Sequence, residues 1–198
     1  MSLRGRPRSF DRDAALQQAM MLFWEHGYDC ASLADLTAAM GIGSPSLYAA
    51  FGSKEALFRE AVTLYGATAG SLTSRVLAEE PTARAAIEAM LRGNAEDYLR
   101  PGHPAGCMSV FGAFNSAHPG IRDFMSEVRR RGRELVRQRL RRGVDEGDLP
   151  AGARIDAMAA FYNAALMSLS LVARDGATAA DLTAVADGAL AAWDSFLD

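Results

Sequence analysis

The chain has 198 residues, of which 49% are hydrophobic and 23% are charged, and its net charge of −3 gives a pI of about 5.7. This composition is ordinary for a globular protein, and the acidic balance counts mildly against a nucleic-acid binder. There is no run of about 18 uncharged apolar residues, no apolar leader and no CxxC spacing for Cys30 and Cys107, so we expect a cytoplasmic protein without membrane helix, secretory signal or disulfides.

The first third of the chain is predicted to form four short helices. Gly27 is placed to cap the first, and Ser32 with Asp35 makes a capping-box pattern at the start of the second. Pro45 lies in the first turn of the third helix, where its missing N–H costs nothing. These helices span about 11–26, 33–40 and 44–51, and a fourth begins after Ser53.

The remainder of the chain is also predicted to be helical, with apolar residues recurring at spacings of three and four. Helices are expected from 82 to about 98, from 120 to about 146, and over 153–174 and 178–197, with a Pro-Gly break at 101–104. The fold class is therefore all-α. The expected division is a helix-turn-helix unit over 1–52 and a helical ligand-binding and dimerisation domain over 53–198.

The Gly41-Ile42-Gly43 turn between two short helices is the layout of a helix-turn-helix, whose second helix enters the DNA major groove. Small residues in that second helix would let its backbone approach the bases, and the Tyr48 hydroxyl could reach a phosphate. Lys54 stands in the first turn of the next helix, a poor place for a cation unless an anion binds there. On spacing alone, two core helices joined by a tight turn explain the pattern equally well.

The segment LADLTAAMGIGSPSLYAAFGSKEALF, residues 33–58, resembles the DNA-binding region of the TetR family of transcriptional regulators. Members carry a Gly turn, a Leu-Tyr-x-x-Phe helix and a Ser-Lys-Glu-x-Leu start to the next helix. The resemblance is specific over about 11–65 and looser beyond. It implies that family contacts to bases and phosphates fall on Ser32, Ser44, Pro45, Ser46, Tyr48, Ala49 and Lys54.

The resemblance also implies a function. We expect a homodimeric repressor that a small apolar or aromatic effector releases from a palindromic double-stranded DNA operator. An activator or a ligand-independent regulator with the same DNA head remains an alternative, as does a helical interaction protein. The sequence lacks the common hydrolase, metalloprotease and phosphate-loop motifs, so we expect neither an enzyme nor a cofactor.

Basic charge is concentrated in two segments. Arg4-Gly5-Arg6-Pro7, followed by Arg8, resembles the core of an AT-hook and would place Arg4, Arg6 and Arg8 in the minor groove; a solvated tail with no role is the alternative. The Arg-rich window 129–142 keeps a helical apolar stripe, so a solvated helix face is favoured there over a second nucleic-acid or membrane site.

The second half supplies candidates for a ligand pocket and a dimer interface. Methionine and aromatic side chains suit an adaptable apolar pocket, although plain core is the alternative for each. The predicted pocket residues are Met90, Asn94, Met108, Phe111, Phe114, Met125, Met158, Phe161 and Tyr162. The last two helices are expected to form a four-helix contact between subunits through Phe161, Ala165, Leu169, Leu182, Val185, Ala189 and Trp193.

A soft-metal site at His103 and Cys107 is conceivable from their spacing of four. Pro104 and Gly106 between them disfavour the helical geometry that would bring both side chains to one ion. A redox role for Cys107 has no support in the sequence beyond the residue itself. We therefore predict no metal site.

Overall fold

The computed structural model describes residues 10–197 and is all-α over that range, as predicted. Arg4, Arg6 and Arg8 lie outside the described residues, so the minor-groove arm stays a prediction. The helices are α1 Arg12–Cys30, α2 Leu33–Met40, α3 Ser44–Phe51, α4 Lys54–Ala67, α5 Leu72–Glu79, α6 Ala83–Asp97, α7 Met108–Phe111, α8 Pro119–Glu146, α9 Ile155–Arg174 and α10 Ala179–Ala191, followed by a 3₁₀ turn, Trp193–Phe196.

The helix boundaries follow from local capping. The capping box of Ser32 and Asp35 starts α2, and Gly41 ends it in the left-handed region at φ 64°. Gly27 interrupts α1 with φ 74° and ψ 169°, so the helix predicted to stop there does break at this glycine. A side chain at Gly27 would also place its Cβ 3.3 Å from the carbonyl oxygen of Phe111.

Beyond α4 the helices differ from expectation at α5, at the one-turn helix α7, which was also not predicted, and at the end of α10. The helix α5 was not predicted; it is only two turns long, and its first residue has no side-chain cap. The last helix was expected to continue to residue 197, but α10 ends at Ala191 and the chain tightens into the 3₁₀ turn. That turn buries Trp193 against the core.

The buried side chains form two apolar cores. The first contains the packed faces of α1 to α4 together with Met108, Ala113, Ile121 and Met125 from the middle of the chain. The second is made by α5, α6, α9, α10 and the C-terminal half of α8. Cys107 packs against both cores. The domain boundary expected after residue 52 stays a prediction, and the first core takes in α4.

The Arg-rich part of α8 is largely the solvated face that was predicted. Arg131 pairs with Glu127 at 2.9 Å, and Arg137 with Asp156 at 2.7 Å. Arg139 differs, because it is only 3% exposed and donates to the carbonyl of Glu80 just after α5. A cation at this end of α5 meets the helix dipole favourably, which explains one buried arginine in an otherwise exposed row.

Candidate DNA-binding surface and ligand cavity

The N-terminal half of α3 presents small polar residues outward. Its helix begins after Gly43 without a side-chain cap, and Pro45 occupies the first turn. Leu47 and Phe51 turn into the first core, which orients the opposite face. The outward face carries the predicted contact residues: Ser44, Pro45, Tyr48 and Ala49 are exposed, and Ser46 is half-buried.

The two predicted DNA-contact residues outside α3, Ser32 and Lys54, differ in whether their polar groups are already hydrogen-bonded within the chain. The Ser32 hydroxyl accepts from the Asp35 amide at 3.1 Å and donates to the Asp35 carboxylate at 2.5 Å, so it already serves as the cap of α2. That hydrogen bond lowers the pKa of Asp35. The ammonium of Lys54 lies 4.4 Å from the centre of the Tyr28 ring, a cation–π contact. Partial burial lowers the pKa of Lys54.

Other cations near this surface are neutralised within the chain. Arg12 pairs with Glu60 at 2.7 Å and lies over the Phe51 ring, joining the start of α1 to α4. Arg59 pairs with Glu55 at 2.8 Å. Lys54 is therefore the residue next to α3 that is best placed to meet a phosphate.

A cavity of about 350 Å³ lies among α4, α6, α8, α9 and the segment 107–110. Its volume is at the lower end of the range of about 300–1,000 Å³ typical of small-molecule sites. The wall is mostly apolar, with Val62, Phe124 and Leu166 among its residues, and it also carries the polar side chains of Asn94 and Asn163. The helix α4 thus connects the exposed surface at Lys54 with the cavity wall.

Most residues predicted for a pocket do not line this cavity, which corrects that assignment. Only Asn94 does. Five of the others are fully buried in the two cores, because they sit on helix faces that pack tightly: Met90, Met108, Met125, Met158 and Tyr162. The remaining three lie outside the cavity, Phe111 half-buried, Phe161 38% exposed and Phe114 62% exposed.

Sequence reasoning missed most of the cavity wall because its signal is weak. Small and aliphatic residues such as Gly66, Gly132 and Val128 make the space. Glycine and valine occur throughout helical cores, so composition does not distinguish those that border a cavity. Helical spacing predicts which residues are buried but not which of them leave room.

Cys107 lies at the centre of a small polar cluster in the cavity wall. The Tyr65 hydroxyl donates to its Sγ at 3.3 Å, and its amide donates to the Ser170 hydroxyl at 2.8 Å. Burial raises the pKa of Tyr65 well above its ordinary value. His103 instead stacks on Trp24, 5.4 Å between ring centres. Among residues 10–197 no group of three or more potential metal ligands comes together.

Four direct hydrogen bonds join α1 to the second half of the chain, and two of them are donated by Arg174, to the carbonyls of Trp24 and Glu25. The Tyr28 amide donates to the carbonyl of Gly112 at 2.7 Å, and the Trp24 indole donates to the carbonyl of Gly106 at 3.1 Å. Arg174, at the end of α9, donates to the carbonyl of Trp24 at 2.7 Å. The helix that supports α2 and α3 is therefore held by the segments that border the cavity.

The predicted dimer residues divide into two groups. Leu169, Leu182, Ala189 and Trp193 are buried within the second core, so this part of the prediction is wrong: the strongest apolar stripe marks the face packed inside the subunit. Ala165 and Val185 are half-buried, and Phe161 is exposed. The outward stripe of α9 carries mostly small side chains and two large apolar ones, namely Ala157, Ala160, Phe161, Ala164, Ser168 and Leu171.

The composition of α9 is unusual for an exposed helix. Its mean hydropathy is 1.4, and by length and composition alone it is apolar enough to cross a bilayer. Its other side packs against α6, α8 and α10, with Met158, Tyr162 and Leu169 fully buried. An apolar helix with one side in the core and one outside is typical of a helix at a subunit interface.

Comparison with protein families gives two matches that together cover most of the chain. Residues 15–61 match the model of bacterial regulatory proteins of the tetR family. Residues 81–189 match the tetracyclin repressor-like C-terminal domain. The first match contains α2 and α3 and most of α4, and the second contains α6, α8 and α9, which contribute to the cavity wall.

Individual relatives agree with these matches. The chain is 34% identical to the HTH-type transcriptional repressor ComR of Escherichia coli, over 96% of this chain and 92% of that protein. It is 30% identical to the repressor BdcR of the same organism, over 92% and 88% of the two chains. Among solved structures, a cysteine mutant of the TetR family regulator CifR complexed with 26-base-pair operator DNA has a TM-score of 0.91 at 44% identity, covering 95% of this chain and 100% of that one.

Proposed function

The chain belongs to the TetR family of bacterial regulatory proteins and is a DNA-binding transcriptional regulator, and on this premise we propose that it is a cytoplasmic homodimeric repressor released from a palindromic operator by a small molecule. The observation that carries the proposal is the connection made by α4. This helix begins at Lys54, shortly after the C-terminal end of α3, and continues into the cavity wall. The repressors ComR and BdcR and the operator complex of CifR support it by analogy.

In this proposal α3 is the recognition helix. Its small side chains allow a close approach to the major groove, and the hydroxyls of Ser44 and Ser46 contact base edges. Tyr48, which is 46% exposed, and Lys54 contact phosphates and fix the position of the helix without reading sequence. Ser32 contributes at most through the N-terminal end of α2, because its hydroxyl is already committed to the cap.

The effector acts by shifting the dimer between two arrangements of its DNA-binding units, the parts of the two subunits that contain α2 and α3. A molecule in the cavity touches α4 at Val62, Thr63 and Tyr65, all of which belong to its wall. If it binds better when the heads are spaced incorrectly for DNA, linkage requires that it weaken DNA binding by the same factor. The contacts of Tyr28 and Trp24 with the segment 106–112 offer a second connection between cavity and head.

The dimer forms through the outward faces of α9 and α10. Alanine and glycine there, including Ala164 and Gly188, let helices from two subunits approach closely. A two-fold contact of this kind repeats each residue across the axis and requires a palindromic operator with half-sites one helical turn apart, roughly 34 Å. It also covers the exposed apolar side of α9.

The proposal is tested by selecting bound sites from random duplex DNA and measuring affinity for the selected site and for a scrambled site. We expect a palindromic site and salt-dependent binding. Ser44→Ala and Ser46→Ala should change the ratio between related operators, whereas Tyr48→Phe should weaken binding to every duplex alike. Recovery of no palindrome, or serine variants that keep the original preference, would contradict α3 as the reading element.

A further inference from the structure

The cavity wall contains positive charge but no negative charge. Among the described residues that line it, none is Asp or Glu, and two are arginines, Arg129 and Arg131. Both lie on α8, within the Arg-rich window. The two arginines differ in whether a carboxylate neutralises them, and an arginine without such a partner could bind an anionic ligand.

Arg131 is neutralised and directed to solvent. Its Nε lies 2.9 Å from the Glu127 carboxylate, and its side chain is 74% exposed. Arg129 has neutral partners only. Among residues 10–197 no carboxylate pairs with it, and its guanidinium donates to the carbonyl of Ser109 and to the hydroxyl of Ser126, both at 3.3 Å.

Arg129 is also partly removed from water. It is half-buried, its Cζ lies 5.4 Å from the centre of the Phe114 ring, and burial lowers the pKa of its guanidinium. A desolvated cation with two long hydrogen bonds to neutral groups has lost hydration without gaining an opposite charge. A carboxylate would restore that balance, since guanidinium and carboxylate form two parallel charge-assisted hydrogen bonds.

We propose that the cavity takes a compact apolar molecule bearing a single carboxylate, with Arg129 as its anion-binding residue. This inference rests on the proposed function, in which the cavity is the effector site, and it adds the ligand's chemical class. The apolar part lies along the wall formed by Val62, Phe124, Val128 and Leu166. One unneutralised arginine matches one negative charge, and the volume of about 350 Å³ limits the size of the apolar part.

The side chain of Asn163 gives the site a second polar group. Its amide has only a weak partner in the described structure, the Met167 sulfur at 3.6 Å. Its Oδ1 lies across from Gly132, 3.8 Å from where a Cβ would stand, and Gly132 is one helical turn from Arg129 on α8. Asn163 therefore has an amide N–H that can donate to a carboxylate oxygen.

The test compares three probes with the same chain on the full-length protein by calorimetry: octanoate, 1-octanol and octylamine. The proposal predicts that octanoate binds about tenfold to a hundredfold more tightly than 1-octanol, as for a charge-assisted hydrogen-bond pair, and that octylamine binds weakest. Equal affinities for octanoate and 1-octanol on the unmodified protein, or no binding of octanoate, would overturn it without any variant being needed.

Variants assign the preference to one residue. Arg129→Gln should lower octanoate affinity by about tenfold or more and leave 1-octanol unchanged. Arg130→Gln is the matched control, because Arg130 is the next residue, pairs with Glu127 and lies outside the wall. Loss of the octanoate preference in the control as well, or its survival in Arg129→Gln, would contradict the role of Arg129.

DNA binding separates this inference from the proposed function. In a gel shift with the selected operator, octanoate should release the unmodified protein more effectively than 1-octanol. Release by 1-octanol but not by octanoate would leave an effector-released repressor and overturn the anionic ligand. A protein that binds octanoate through Arg129 while its operator complex is unaffected would uphold the ligand class and overturn the proposed release mechanism.

Discussion

The ammonium of Lys54 lies 4.4 Å from the centre of the Tyr28 ring. The backbone amide of the same tyrosine donates to the carbonyl of Gly112 at 2.7 Å. Tyr28 thus holds the ammonium of Lys54 with its side chain and contacts the segment after α7 with its backbone. A shift of that segment would move the support on which Lys54 rests.

Replacing Lys54 with alanine should weaken binding to matched and scrambled DNA alike by about tenfold, because a phosphate contact carries no sequence information. The slope of log affinity against log salt concentration should fall by about one. Gel shifts at several salt concentrations measure both. Arg133→Ala, an exposed cation on α8, is the control and should change neither; unchanged affinity in Lys54→Ala would rule out the phosphate contact.

Replacing Gly27 with alanine should destabilise the protein by about 2–3 kcal/mol, because its φ of 74° and ψ of 169° lie in a region essentially restricted to glycine. The new Cβ would also meet the Phe111 carbonyl oxygen at 3.3 Å. Gly41→Ala is the comparison: its φ of 64° is left-handed, but no atom lies within 4 Å of the added carbon. It should cost only about 1 kcal/mol. Urea unfolding of both variants checks the difference, and equal losses would mean that neither the backbone region of Gly27 nor its contact with Phe111 adds to the cost.

Replacing Gly132 with leucine should fill part of the cavity. The glycine is helical, and a Cβ there would lie at an ordinary contact distance of 3.8 Å from Asn163 Oδ1, so the larger side chain enters the space without backbone strain. Binding of octanoate and 1-octanol should fall, while operator affinity without ligand is retained and α8 gains about 0.5–1 kcal/mol from the loss of glycine. Calorimetry and gel shifts measure these effects. Gly132→Ala should reduce ligand binding less, and full binding in Gly132→Leu would place the ligand elsewhere.

Replacing Ala164 with glutamate should separate the subunits. Ala164 lies in the exposed stripe of α9, and two-fold symmetry would introduce the charge twice into an apolar contact. The dissociation constant of the dimer should rise at least about tenfold, and operator binding should weaken with it. Analytical ultracentrifugation gives the result. Ala78→Glu, on the exposed side of α5, is the control; a dimer unaffected by Ala164→Glu would exclude this face of α9.

Replacing Tyr162 with phenylalanine should raise the free energy of unfolding by about 1 kcal/mol, because the tyrosine hydroxyl is buried and has no hydrogen-bond partner within the described residues. Burial raises the pKa of Tyr162 to about 12. The unfolded chain therefore releases this proton first, near its ordinary pKa of 10.0, and the folded protein loses stability as the pH rises from there to about 12.

Thermal unfolding at pH values below and within that window tests the sign. The stability gap between Tyr162→Phe and the unmodified protein should widen in alkali, because the phenylalanine has no proton to release. Tyr65 and Tyr98, whose pKa values burial also raises, remain in both proteins and cancel in the comparison. A gap that stays constant above pH 10 would show that Tyr162 does not titrate differently in the two states.

The helix-turn-helix could be predicted from sequence because local interactions determine it. The capping pair Ser32 and Asp35, the left-handed Gly41 and Pro45 in the first turn act within a few residues of one another, and each is found in the structure. The family comparison bears out the same segment. Whether the individual side chains of α3 contact DNA stays a prediction.

The ligand cavity and the subunit face depend on packing between distant elements, and sequence pattern predicted them poorly. Met158 and Leu169 are more apolar than their neighbours on α9, so they turn into the core of their own subunit. Apart from Phe161 and Leu171, the outward face of α9 carries mainly alanine and serine, which contribute little to an apolar stripe. Similarly, Asn94 was identified because a buried amide needs a partner, whereas Gly132 gives no such signal.

The volume of the cavity limits how the repressor can be switched. Inverting a two-state equilibrium from 99:1 to 1:99 requires a ligand that binds one state about 10⁴-fold more tightly, about 5.5 kcal/mol. The best small ligands gain about 1.5 kcal/mol per non-hydrogen atom and drug-sized ones about 0.3, so a molecule that fits about 350 Å³ would have to place a large share of its total binding free energy in the difference between the two states. An effector of this size therefore switches most readily a protein whose two arrangements of the DNA-binding units differ little in free energy. The unliganded repressor should leave its operator at a measurable basal rate, and this leakiness would be the consequence of sensing so small a molecule.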